Sequence, residues 1–202
     1  VSLISYVASN GVNSTGFTVS PVAIGDVVVG TAFDVASADG ITLGSGVSQP
    51  TPGGLIESVY ADGDDLTPTP RGIYGIMGYR VAVDTAPTFS GWTGAQRLVA
   101  AAYHGVNTSS PILAVNWTLG NGNPVSYGAL AHNDSKAWVI ATYSSTNDQP
   151  AAPTLISNLR NGAARRYIWD SGAAMANYAG ESIAAALTPG NWITCTIAIR
   201  SL

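Results

Sequence analysis

Two histidines, His104 and His132, are where acid–base or nucleophilic chemistry would have to start in this chain. A Ser-His-Asp constellation needs a serine on a strained elbow, a histidine and an orienting acid. No G-x-S-x-G run occurs. His104 closes an apolar segment, where it reads as capping a strand or hydrogen-bonding a loop. His132-Asn133-Asp134 reads as a turn. Glycoside hydrolysis needs two facing carboxylates. The only glutamates are Glu57 and Glu181, and neither has a distinctive neighbourhood. The residues therefore point away from an enzyme, and no cofactor is expected.

Other residue types suit binding better. Asp62, Asp64 and Asp65 share one loop, and alternating acids around a glycine can wrap Ca²⁺ with oxygen ligands. The run that follows, LTPTPR, lacks the closing glutamate of an EF-hand, so a solvated acidic loop or a pairing with Arg71 is the plainer reading. Flat aromatic faces stack on sugars and also anchor protein interfaces. Of the five tryptophans, Trp138 and Trp192 start apolar strands and read as core. Trp92, in the turn APTFSGWTG, and Trp169, beside Arg165-Arg166-Tyr167, are the binding candidates. Arg165-Arg166 is the one dibasic spot. It suits bidentate contact with an acidic partner, and equally an exposed strand edge guarded against aggregation. The lone Cys195 makes no intrachain bridge and reads as a small buried hydrophobe.

The elements that must position these residues are strands. From Gly72 to Ile112, two long apolar segments rich in β-branched and aromatic residues flank a polar break, with no helix caps and no charged i, i+4 pairs. They predict strands over Ile73–Val83 and Ala95–His104. Val27–Val35 is an almost continuous apolar run, suited to a strand covered on both faces. Further strands are expected at Ser2–Ser9, Gly16–Ser20, Ile41–Leu43, Leu55–Tyr60, Ile112–Leu119, Val125–Ala131, Ala137–Ser144, Thr154–Asn158, Arg165–Trp169, Tyr178–Leu187 and Asn191–Arg200. Asn10-Gly11, Asn121-Gly122, Asn161-Gly162 and Pro189-Gly190 punctuate them. The Ala run of Glu181–Leu187 is the best helix candidate, but it is too short and is followed by Thr-Pro-Gly, so strand is preferred. With no repeat and no linker, residues 1–202 read as one domain, an all-β, two-sheet antiparallel β-sandwich of jelly-roll-like type.

Composition sets the outer limits. At 202 residues the chain can bury a core large enough to need no staple. Charged residues make up 10% against a usual ~25%, and Lys136 is the only lysine. Solubility rests on hydroxyls and amides, a surface that repels its neighbours little and suits assemblies. A net charge of −4, with no basic block beyond Arg165-Arg166, argues against nucleic acid. No apolar run approaches the ~18 residues of a membrane span, and the first residues lack a signal-peptide pattern.

Several segments resemble one family. Gly25-Asp26 followed by Val27–Val29, after Val19-Ser20-Pro21, is similar to a strand opening in β-sandwich domains of bacteriophage virion proteins. Tyr79-Arg80-Val81-Ala82, Thr88-Phe89-Ser90-Gly91-Trp92, Leu98–Tyr103, His104-Gly105-Val106-Asn107 and Ser110-Pro111-Ile112 resemble the middle of those domains, and Ile193–Ile199 their closing strand. Residues 44–71 depart from the pattern, with Gln49-Pro-Thr-Pro-Gly-Gly54 where a tight aromatic turn is expected. The resemblance implies a structural component of the virion, a capsid decoration (cement) or head-spike subunit. Its expected partners are the major capsid protein or other virion proteins and further copies of itself in a homo-oligomer, pictured as a trimer. Strand Val1–Ser9 is a candidate anchor by strand addition. The alternative is a tail- or spike-borne carbohydrate-binding module for host surface glycans, using Trp92 and Trp169.

Overall fold

The structure, a computed structural model, describes residues 3–12, 16–35, 54–57, 73–90, 97–147, 151–163, 165–186 and 190–202. Their strands are β1 (Ser5–Val12), β2 (Gly16–Thr18), β3 (Val27–Val35), β4 (Gly54–Glu57), β5 (Ile73–Val81), β6 (Thr88–Ser90), β7 (Arg97–His104) and β8 (Ile112–Asn121). They continue with β9 (Val125–Tyr127), β10 (Leu130–Ala131), β11 (Trp138–Ser145), β12 (Asn158–Ala163), β13 (Arg166–Asp170), β14 (Asn177–Tyr178), β15 (Glu181–Ile183) and β16 (Asn191–Ile199). The expected all-β, antiparallel class is what the chain adopts. One five-stranded sheet has the order β1-β7-β3-β5-β4 and the other β12-β13-β11-β16-β8. Among the described strands, residues 5–104 supply the first sheet and residues 112–199 the second.

The two sheets share a central core. Val27, Val29, Phe33, Met77, Val99, Ala101 and Tyr103 from the first meet Trp138, Ile140, Ile168, Ile193, Ile197 and Ile199 from the second. Alternate residues turn the other way, as the period of two requires. Leu98, Ala100 and Ala102 of β7 pack outward with Phe17, Val19 and Val22, in and just after β2. Val139, Ala141 and Tyr143 of β11 pack outward with Val125, Tyr127, Ile156, Trp169 and Tyr178. The large sheets are thus covered on both faces, which is why their strands read as continuous apolar runs. Each fully buried aliphatic side chain contributes roughly 1.5–3 kcal/mol, so burial dominates stability in a chain so poor in charge.

Polar residues inside these runs have specific work. Thr194 and Thr196 of β16 face outward and are buried; their hydroxyls donate to Ser126 O at 2.7 Å and Gly128 O at 2.8 Å, fastening the β9 segment to the sheet. Cys195 between them is buried in the central core, as its alternating strand predicts. Gly75 of β5 lets the sheets approach: a Cβ there would stand 2.6 Å from the Trp117 ring and 2.9 Å from Ile193 Cδ1.

β1 is an edge strand of the first sheet. It pairs with β7 from Ser5↔His104 to Val12↔Leu98, so one edge of its backbone is committed within its own sheet. Side chains close its other side against the second sheet. Ser9 Oγ donates to Arg160 O at 2.7 Å, and Arg166 Nη2 donates to Gly11 O at 2.6 Å. Within the described part of the expected anchor Val1–Ser9, β1 is thus an edge strand paired with β7 on one side.

Candidate functional site

One end of the sandwich gathers the first and last described residues around His104. Leu3 N donates to Ser201 Oγ at 3.2 Å, and Leu202 N donates to Gly105 O at 2.9 Å. Gly105 has φ +73°, and a side chain there would also collide with the Leu3 carbonyl, so glycine is needed on two counts. Val106 bridges Ser201, and Asn107 Oδ1 accepts from Ser109 N and Ser110 N to hold the following turn.

His104 itself sits at the last position of β7. Its Nδ1 lies 2.8 Å from Asp26 Oδ1, and its side chain is 66% exposed while Asp26 is 1% exposed. Asp26 Oδ2 accepts from Ala23 N at 2.8 Å. The carboxylate thus organises the turn that opens β3 and fixes one face of the imidazole. This is the loop bond expected of His104, and the partner is 78 residues away in sequence. No hydroxyl or thiol among the described residues hydrogen-bonds His104, and Ser5, opposite it in the ladder, makes no such bond.

The apolar rim is the unexpected part. Gly25 N donates to Ala82 O and Ala82 N donates to Asp26 O, which sets Ile24 and Val83 side by side next to the His104 pair. Ile24, Val83, Leu3 and Leu202 are each more than half exposed. Four large apolar side chains at one end are a surface fit for covering by another molecule. Leu3 and Val83 fall at the ends of the expected strands Ser2–Ser9 and Ile73–Val83 but lie just outside β1 and β5, and Ile24 and Leu202 lie in a turn and after β16.

The residues singled out from the sequence do not converge. Trp169 is in the outer core of the second sheet at 2% exposure, stacked on Tyr167 with centroids 5.5 Å apart and edge-on to Tyr127. Its position on β13 points it at a covered face, so it offers no surface for a sugar. Arg166 is buried and spans to Gly11, toward the other end of β1 from Ser5. Burial pushes its guanidinium below its ordinary value, and neighbouring Tyr167 opposes this. Arg165 is exposed, with φ 71° and its carbonyl accepting from Ser144 Oγ at 2.8 Å. Arg165 stands exposed in the turn before β13 and Arg166 opens the buried strand, so the dibasic pair is not a two-arginine clamp. Trp92, Asp62, Asp64 and Asp65 lie outside the described residues. Among the described residues no group of three His, Cys, Asp or Glu side chains is placed to hold a metal ion.

A second polar cluster lies on the seam between β1 and β12. Arg160 binds Asp170 through two hydrogen bonds, beneath which Tyr6 and Tyr103 meet edge-on at 6.4 Å. Burial, and then the Asp170 charge, hold the Tyr103 phenol well above its ordinary value. This cluster ties the first sheet to the second and serves the fold. Comparison with protein-family models, curated proteins and solved structures finds no match to this chain.

Proposed function

We propose that this chain is a structural component of a bacteriophage virion, a capsid decoration or head-spike subunit that works by docking rather than by turnover. The observation that carries the reading is that Leu3, Ile24, Val83 and Leu202, each more than half exposed, lie on segments hydrogen-bonded together at the His104–Asp26 end of the first sheet. A low-charge chain with such an end suits the covering of one protein surface by another. The resemblance of Gly25–Val29, Tyr79–Ala82, Leu98–Asn107 and Ser110–Ile112 to virion β-sandwich domains supplies the biological setting. Docking here adds buried area across capsid subunits, and several copies around a symmetry axis add more. Burial of Trp169 removes one of the two aromatic faces, Trp92 and Trp169, on which the glycan-binding alternative rests.

The experiment is co-pelleting with emptied capsids of the parent virus, using the wild-type chain and a variant with Leu3→Ser, Ile24→Ser, Val83→Ser and Leu202→Ser. Stoichiometric pelleting with raised capsid heat resistance, lost in the variant, is the expected result. A chain that ignores capsids and binds host envelope polysaccharide would overturn the proposal in favour of the glycan reading.

A further inference from the structure

We propose that residues 151–157 form a strap latched by the Glu181 carboxylate over the aromatic cluster on the outer face of the second sheet, and that neutralising this one charge releases the strap while the two sheets stay folded. The inference is independent of the docking end.

The strap is not a strand, although Thr154–Asn158 reads as one. Ala151, Pro153 and Ile156 are buried, whereas Thr154 and Leu155 are exposed. Ala151 and Ile156 pack in the same cluster as Tyr127, Tyr143, Tyr167, Trp169 and Tyr178. Tyr127 also donates its hydroxyl to Ala151 O at 2.6 Å. The exposed part of the strap is held differently. Thr154 N donates to Glu181 Oε2 at 2.7 Å and Leu155 N to Glu181 Oε1 at 3.0 Å, and the Thr154 hydroxyl donates to the same carboxylate. Tyr178 completes the set, its hydroxyl donating to Oε1 at 3.0 Å. Glu181 sits opposite Tyr127 in the β15–β9 ladder, so the acceptor stands on a fixed element and the donors on an irregular one.

All these donors converge on one group, which makes the latch a single-charge device. Charge-assisted hydrogen bonds are the stronger kind, and a neutral acid or an amide places a proton where a donor already points. The titratable groups facing Glu181 are Tyr178 and, from β9, Tyr127; the strap has none. Partial burial raises the Glu181 carboxyl, but the hydrogen bonds from Thr154, Leu155 and Tyr178 outweigh it and hold the group below the ordinary carboxylate range. A depressed carboxylate stabilises fully above its unfolded value and loses that contribution as pH falls through the folded one. The strap is therefore closed at neutral pH and opens in acid, uncovering an aromatic surface that is otherwise dry.

The test is residue-resolved amide exchange on the full chain, expressed as protection over the intrinsic rate. In E181Q, Thr154 and Leu155 should lose about tenfold or more of their protection while Ala141 and Thr142 of β11 keep theirs, the mark of local opening. The wild type should show the same selective loss as a step in acid, which E181Q lacks. Y178F, missing one donor to the carboxylate, should show the step at higher pH. Unchanged protection at Thr154 and Leu155 in E181Q, or loss only together with β11, would overturn the latch. If E181Q does not fold, the wild-type and Y178F series decide: no step, or a step shared with β11, overturns it.

Discussion

Arg160 holds Asp170 from two sides, Nε to Oδ2 at 2.6 Å and Nη2 to Oδ1 at 2.7 Å, while its guanidinium lies 4.3 Å from the centroid of the Tyr6 ring. Tyr6 belongs to the first sheet and Arg160 to the second, so one side chain joins an ion pair to a cation–π contact across the closed edge. Asp170 is completely buried and Arg160 has 21% of its side chain exposed. Removing the arginine leaves a buried carboxylate with only the Gly172 N–H, at 2.9 Å, from this set. Arg160→Met should cost about 3–5 kcal/mol in urea unfolding. The double variant with Asp170→Asn should recover part of it. A single variant within about 0.5 kcal/mol of wild type would show that the pair contributes little.

Gly75 of β5 and Trp117 of β8 set the spacing of the sheets where these strands meet. Gly75→Ala forces a methyl into the indole and should destabilise by about 1–3 kcal/mol through overpacking. Shrinking the ring with Trp117→Phe should be costly alone and should partly rescue Gly75→Ala. Chemical denaturation of the four-member cycle gives the coupling, and strict additivity would refute the contact.

Arg165 holds a left-handed backbone that costs an L side chain about 1–2 kcal/mol. Arg165→Gly should therefore exceed Arg165→Ala in stability by about 1 kcal/mol, both having lost the same guanidinium. Equal thermal midpoints would place the strain elsewhere.

Cys195 is enclosed in the central core. A thiol-specific disulfide reagent should leave the native chain untouched and label it fully in denaturant, with a native-state rate set by unfolding. Fast labelling of the native chain would mean that the sheets part locally near β16.

What could be read from the residues follows from which force shaped each segment. Val27–Phe33 is legible as a strand because its residues are buried on both faces, leaving an almost continuous apolar run, and Trp192–Ile199 because its residues alternate. β12 is not, since Asn158–Ala163 is polar and carries Asn161-Gly162, a turn signal that tertiary pairing with β13 overrides. Leu155 and Ile156 suit a strand, but the Thr154 and Leu155 N–H groups go to Glu181 instead of a neighbouring strand. Val125–Ala131 splits into β9 and β10 around Gly128-Ala129, where a Cβ on Gly128 would strike Asn116. Periodicity also cannot pair Asp26 with His104 or assemble Leu3, Ile24, Val83 and Leu202, because those relationships arise only when distant loops meet.

The chain completes one large sheet before it begins the other, and this bears on its synthesis. At ~5–20 residues per second, the stretch from Ile112 to Ile199 leaves the ribosome over roughly 4–18 s. Through that interval the inner face of the first half, with Val27, Val29, Phe33, Met77 and Tyr103, has no cover from its own chain. Two nascent copies side by side can supply each other's missing half, so the same wiring that gives a monomer its shared core also opens a route to swapped dimers.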